Sequence, residues 1–220
     1  LVDPMLSAPG QLPPLKYFTR ERRRNPLVPL PPVADEVLGR VTHALITHCQ
    51  RGHFDHLDSA GLRWLRERQL PVLCTPHDAD HLSKRGLRTV VLESTLLGGR
   101  LTLVPCVHGE GLVGRFMEHG TGYFLELPGE PSLYLAGDTV LTPQVRAFVE
   151  QRQPEVMVLP AGGARLDLGG HIIMDEDEVL ELARSASGVV IAFGPALQPF
   201  ADGFLLQAPE GQMGHRLCPG

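Results

Sequence analysis

An apolar run from Val41 to Thr47 ends abruptly in Thr47-His48-Cys49-Gln50-Arg51-Gly52-His53-Phe54-Asp55-His56-Leu57-Asp58. The run has the length and apolar content of a buried strand. The stretch after it gathers three histidines and two aspartates within a dozen residues. Imidazole and carboxylate together are what a borderline metal such as zinc takes as ligands. The chain must therefore fold so that a strand end delivers these side chains to one place. His53-x-Asp55-His56 at a strand end is a compact way to feed two metals. Far downstream, Leu133-Tyr134-Leu135-Ala136-Gly137-Asp138-Thr139 is another apolar strand that ends in a carboxylate.

His53-Phe54-Asp55-His56-Leu57-Asp58, Val104-Pro105-Cys106-Val107-His108-Gly109 and Ala136-Gly137-Asp138-Thr139 together resemble the metallo-β-lactamase superfamily. That superfamily carries Ser/Thr-His-x-His-x-Asp-His after one strand, then a lone histidine, a Gly-Asp-Thr aspartate and a closing histidine. Leu159-Pro160-Ala161-Gly162-Gly163 and Gly169-Gly170-His171-Ile172-Ile173-Met174-Asp175 resemble the branch that includes the ascorbate-6-phosphate lactonases and, more distantly, N-acylphosphatidylethanolamine phospholipase D. The resemblance covers nearly the whole chain. It implies an α/β fold, the four-layer αβ/βα metallo-β-lactamase sandwich. It also implies a binuclear site in which Asp138 bridges, His53 and His108 serve the first metal, and Asp55 and His56 serve the second. His48 is the candidate to complete the first metal's set. Asp55 and His171 are the candidate catalytic residues, His171 as an acid/base group or a substrate contact. Zinc is the first expectation, with manganese or iron as alternatives, in one or two ions.

Three departures from the family pattern shape the expectation. The leading motif admits two registers. Anchored on Thr47-His48, the family's second histidine falls on Gln50 and its aspartate on Gly52, which leaves His48 and His53 as ligands. Anchored on His53-x-Asp55-His56, the later half is intact and the first histidine falls on Arg51, unless a short insertion lets His48 swing in. The second register preserves more donors. The closing histidine is expected after Val189-Val190-Ile191-Ala192-Phe193, where Gly194 and Pro195 stand instead. Leu1-Val2-Asp3-Pro4 looks like the end of an early strand, so the opening strands of the family are expected ahead of it and are absent from this sequence. Asp3 either orients the site from behind its ligands or simply ends that strand.

The length suits one domain spanning 1–220, with 1–32 as an extended proline-rich segment. A net charge of -5 gives no electrostatic reason to expect nucleic acid. Arg20-Glu21-Arg22-Arg23-Arg24 reads as a solvated loop. No apolar run reaches the roughly 20 residues of a membrane span, and no secretory signal opens the chain, so a cytoplasmic protein is expected. The four cysteines, Cys49, Cys74, Cys106 and Cys218, are scattered without a Cys-x-x-Cys pair and are expected to be reduced. Cys49 and Cys106 flank the candidate site, as packing residues rather than ligands.

Helices are predicted from Leu57 to Gln69 (capped by Asp58 or Ser59), after Thr75-Pro76 up to Gly86, from Thr142-Pro143 to Gln153, and from Asp175 to Ser185. Strands are predicted at 70–74, near 89–93, 100–107, 121–127 and 132–137, and at 156–159 and 189–193. The leading expectation is a hydrolase that turns a metal-bound hydroxide on an ester, lactone or phosphoester. Its partner is then a small-molecule substrate, and strand exchange would allow a homo-oligomer. Two alternatives stay open. One is a divergent, non-catalytic member holding one metal or none and acting as a binding module. The other is a redox or dioxygenase-type di-metal member, which iron would distinguish.

Overall fold

The computed structural model describes residues 1–13, 24–49, 56–109, 120–164 and 171–193, and the backbone of 204–207. The chain divides into two compact units, Leu1–Glu93 and Ser94–Gly220.

The first unit alternates strand and helix. Strand β1 (Ala44–Leu45), helix α2 (Ser59–Arg68), strand β2 (Pro71–Cys74), helix α3 (Pro76–Lys84) and strand β3 (Arg88–Val91) follow a short helix α1 (Ala34–Gly39). The strands pair in parallel in the order β1-β2-β3. Parallel neighbours need a crossover, and α2 and α3 supply it. Val2 bridges Leu45 in parallel, so the N-terminal segment lies along β1. Ala44, Ile46, Leu57, Leu65, Val72, Cys74 and Leu82 form the core. The Asp58 carboxylate caps α2 by accepting from Gly61 N–H at 2.7 Å, and its other oxygen accepts from Ser7 N–H at 2.7 Å. One buried side chain thus starts a helix and pins the N-terminal segment to it. At α3 the expected cap differs. Thr75 precedes Pro76, but its hydroxyl donates to the buried Asp78 carboxylate at 3.1 Å instead of accepting from the helix.

The second unit is built on a seven-stranded sheet. Its strands are β4 (Thr95–Leu96), β5 (Gly99–Pro105), β6 (Thr121–Glu126), β7 (Leu133–Leu135), β8 (Val156–Pro160), β9 (Val189–Phe193) and β10 (Phe204–Gln207), in the order β10-β9-β8-β7-β6-β5-β4. Pairing is antiparallel from β4 to β7, parallel from β7 to β9, and antiparallel again at β10. Helices α4 (Pro143–Arg152) and α5 (Glu176–Arg184) make the two parallel crossovers. Their buried faces, Val145, Val149, Val179 and Leu182, pack with Phe124, Tyr134, Met157, Leu159 and Val190. Thr142 caps α4 as expected, accepting from Val145 N–H at 3.1 Å. Asp175 caps α5 in a full capping box with Glu178.

The sequence reading misses α1, β4 and β10. Strand β4 turns into β5 through Leu97 and Gly98, both at positive φ (51° and 79°), the conformation of a two-residue hairpin. Leucine is not the residue that signals such a turn, which hides it. Among the described residues, no helix is long and apolar enough to cross a membrane.

Candidate functional site

In the first unit, the chain leaving β1 carries Thr47 and His48, and the chain entering α2 carries His56. All three are buried. Asp3 ties them together. Its backbone N–H donates to Leu45 O at 2.9 Å, which holds the residue at φ +43°. Its Oδ1 accepts from Thr47 N–H at 2.8 Å, and its Oδ2 accepts from the Thr47 hydroxyl at 2.6 Å. The same Oδ2 lies 2.9 Å from His56 Nδ1. An ionised carboxylate only accepts, so this bond puts the proton on Nδ1 and presents the Nε2 lone pair for ligation. The Thr47 hydroxyl, having donated its proton to Asp3, lies 3.2 Å from His48 Nδ1. The His48 and His56 rings stand side by side, with centroids 3.8 Å apart. Of the two readings for Asp3, the structure supports the orienting one. His53 and Asp55, with the residues that decide the register, lie outside the described residues.

In the second unit, His108 follows β5 and Asp138 follows β7. Gly137 lets the chain turn ahead of Asp138. At φ +66° it takes a conformation other residues avoid, and a Cβ there would meet Thr121 O at 2.8 Å. Thr139, fully buried, stitches the two loops together. Its hydroxyl accepts from Val107 N–H at 3.1 Å and donates to Val140 O at 2.8 Å. His108 Nδ1 lies 2.8 Å from Ile172 O, which again puts the proton on Nδ1. Its Nε2 lies 3.8 Å from Asp138 Oδ2. Two ligands on one tetrahedral zinc, each bonded at about 2.1 Å, stand about 3.4 Å apart. A few tenths of an ångström would therefore let this pair share a cation, and the donor set fits a divalent metal.

Cys49 and Cys106 behave as packed thiols. Cys106 Sγ donates to Ala136 O at 3.0 Å, and burial, with Asp138 nearby, pushes its pKa up to about 12. Burial and then Asp78 push Cys49 up to about 12 as well. His171 follows Gly169-Gly170 in the sequence, and its Nδ1 lies 3.2 Å from Asp175 Oδ2. His171, Asp175 and Glu178 each bring a potential ligand atom within 4.8 Å of the others. Glu178 is already committed, however: one oxygen accepts from Asp175 N–H and the other from Leu141 N–H. Two supporting groups were hidden, one wholly and one in part, from sequence reasoning. The Ile172 carbonyl leaves no trace in residue type. Thr139 was legible only as part of the Gly-Asp-Thr motif.

Strands ending in histidine and aspartate, with imidazoles oriented through Nδ1, define a metallo-β-lactamase-type α/β protein. The match to the beta-lactamase superfamily domain over residues 1–191 shows that the chain belongs to that family. It is 30% identical over 191 residues to the UPF0173 protein YddR of Bacillus subtilis, covering 84% of this chain and 74% of the relative. It is 31% identical to a UPF0173 metal-dependent hydrolase of Azorhizobium caulinodans, covering 77% and 75%. Among solved structures, it superposes on an isothiocyanate hydrolase from Delia radicum gut bacteria with a TM-score of 0.73 at 25% identity, over 87% of this chain and 76% of the other.

Proposed function

We propose that the chain is a metal-dependent hydrolase acting on a small molecule with an electrophilic centre, an ester, lactone or phosphoester. The observation that carries this reading is the matched orientation of two buried histidines. His56 and His108 each donate Nδ1–H to a fixed oxygen and so present Nε2 as a ligand. The proposed metal ligands are His48, His53, Asp55, His56, His108 and Asp138. Zinc suits this set of nitrogens and carboxylate oxygens, and manganese or iron would also bind it. When bound, the metal supplies a Lewis acid that polarises the electrophile and lowers the pKa of water towards about 7. The chain's own residues do the rest. Asp3 and Ile172 O keep the imidazoles turned, and Thr139 fixes the loops that carry His108 and Asp138. Asp55 and His171 are the residues proposed to handle protons. The relatives named metal-dependent hydrolases support the reaction class, and the isothiocyanate hydrolase adds that reagent to the substrates worth trying.

Gly194 favours a second reading, because glycine supplies no side chain where the family has its closing histidine. A chain holding a single ion would then hydrolyse with one Lewis acid, or a chain holding none would serve as a binding module. A panel of esters, lactones, phosphodiesters and isothiocyanates, assayed with zinc, manganese or iron and again after chelation, separates the two. Metal-dependent turnover supports the hydrolase. Failure with every metal and substrate class, in a protein that stays folded, supports the binding module.

A further inference from the structure

The segment from His171 to Asp175 is bonded to the backbone on several sides. Ile172 N–H donates to Ala164 O at 2.9 Å, and Ile172 O accepts from His108 Nδ1 at 2.8 Å. Met174 N–H donates to Thr139 O at 2.8 Å, and Met174 O accepts from Gly163 N–H at 3.0 Å. Ile172, Ile173 and Met174 are buried. His171 therefore sits one residue from the carbonyl that orients His108, on a segment also tied to the residue after Asp138. At the other end Asp175 stands against its ring, and the two oxygens of that carboxylate face different groups. Oδ1 accepts from Glu178 N–H at 3.0 Å and starts helix α5, while Oδ2 faces His171 Nδ1 at 3.2 Å. Gly163, at φ +52°, leaves the room this pair needs, since a Cβ there would come within 3.2 Å of Asp175 Cβ. The His171 side chain is 20% exposed, so part of it reaches the surroundings.

We propose that Asp175 is a positioning residue that fixes His171 in its Nδ1–H tautomer, so that His171 Nε2 serves as the proton acceptor and donor of the hydrolytic reaction. This rests on the hydrolase reading above. An ionised carboxylate offers no proton, so Nδ1 carries it and Nε2 holds the lone pair. In the reaction, an O–H bond of water breaks as its oxygen bonds to the electrophilic centre, and the proton passes to Nε2. The resulting imidazolium is paired with Asp175. The bond from that centre to the leaving atom then breaks, and Nε2 returns the proton to the leaving atom. The histidine ends as it began, with no further reactant.

The two duties of the carboxylate supply a test that leaves the fold alone. Asn is as good an N-cap as Asp, but it has a single oxygen. In Asp175→Asn the Glu178 N–H takes that oxygen, and the amide nitrogen faces His171 as a donor. Nδ1 becomes the acceptor and the proton moves to Nε2. Long-range proton–nitrogen NMR of the histidine-labelled full chain, metal-free and at a pH where the imidazole is neutral, reads the tautomer directly. We expect Nδ1–H in the wild type and Nε2–H in Asp175→Asn, with unchanged helix content and metal uptake. In the metal-loaded protein kcat then falls about 100-fold or more in both Asp175→Asn and His171→Gln, within the range general acid–base catalysis supplies, with little change in KM. An Nε2–H wild type, or a variant with no change of tautomer, overturns the proposal. So does a variant whose tautomer inverts while kcat holds in an active enzyme. A wild type that hydrolyses nothing with any metal overturns the hydrolase reading instead, and with it the proton transfer.

Discussion

His56 and His108 are held through the same ring atom by opposite kinds of acceptor. His56 donates to the Asp3 carboxylate and His108 to the Ile172 carbonyl. Both leave Nε2 as the proposed ligand atom. A bond to an ionised acceptor is roughly twice as strong as one between neutral groups. A backbone carbonyl is weaker but survives any side-chain substitution, because its position belongs to the fold. The first unit thus tunes its histidine with a side chain that mutation can remove. The second does so with a chain segment that also carries His171 and Asp175. Orientation is the shared requirement, and the means differ with what each unit has near the ring.

The comparison is sharpened first by removing a proposed ligand outright. Asp138→Ala is expected to lower hydrolysis by more than about 100-fold, the upper end of what losing a mere supporting residue costs. A smaller loss, measured as kcat/KM with metal in excess, would move Asp138 among the supports. Next comes the contrast itself. Asp3→Ala is expected to weaken metal affinity about 10–100-fold. Ile172→Ala keeps its carbonyl, so affinity changes by less than about 3-fold, below even the smallest expected Asp3 effect. The same variant still loses about 2–5 kcal/mol of stability, because a buried side chain leaves a cavity. Titrations of the two variants that gave equal affinity losses would break the distinction between removable and fold-borne acceptors.

Asp58 tests a carboxylate of the first motif that orients no histidine. Asp58→Ala strips the acceptor from Gly61 and Ser7 N–H and is expected to cost about 1–3 kcal/mol in urea unfolding. Metal affinity in the folded protein should hold. The smallest effect is one of pH. Burial, and secondarily Asp78, push the Cys74 thiol up to about 11, from 9.0. Between those values the unfolded chain has lost the proton and the folded chain keeps it. The contribution to stability is therefore complete below pH 9 and is lost as pH rises through about 11. Cys74→Ala should flatten that part of the stability–pH curve, and an unchanged slope would count against it.

The residues most legible in the sequence were those whose chemistry is unusual for their setting. A carboxylate after Gly137 and a histidine after an apolar strand stand out because burial of either is costly without a purpose. Helix starts were equally plain at Asp58, Thr142 and Asp175, where side chain and backbone agree. Thr75 was misleading, since a hydroxyl that donates to Asp78 looks the same in sequence as one that caps. The turn at Leu97-Gly98 was hidden because its conformation is imposed by strand pairing and not by residue preference. Orientation of the imidazoles was half legible. Asp3 is a side chain and was noticed, whereas Ile172 acts through a carbonyl that every residue possesses. The double duty of Asp175 could only emerge once the segment carrying His171 was seen folded against the helix start.

The central claim is that the chain binds a metal through the proposed ligands, and its most direct test is metal content per chain by elemental analysis. The wild type should be compared with His56→Ala from the first unit and Asp138→Ala from the second, all purified without chelator. One or two ions per wild-type chain, lost in both variants while each stays folded, is the predicted result. A folded wild type with no metal, or full retention in either variant, would contradict it.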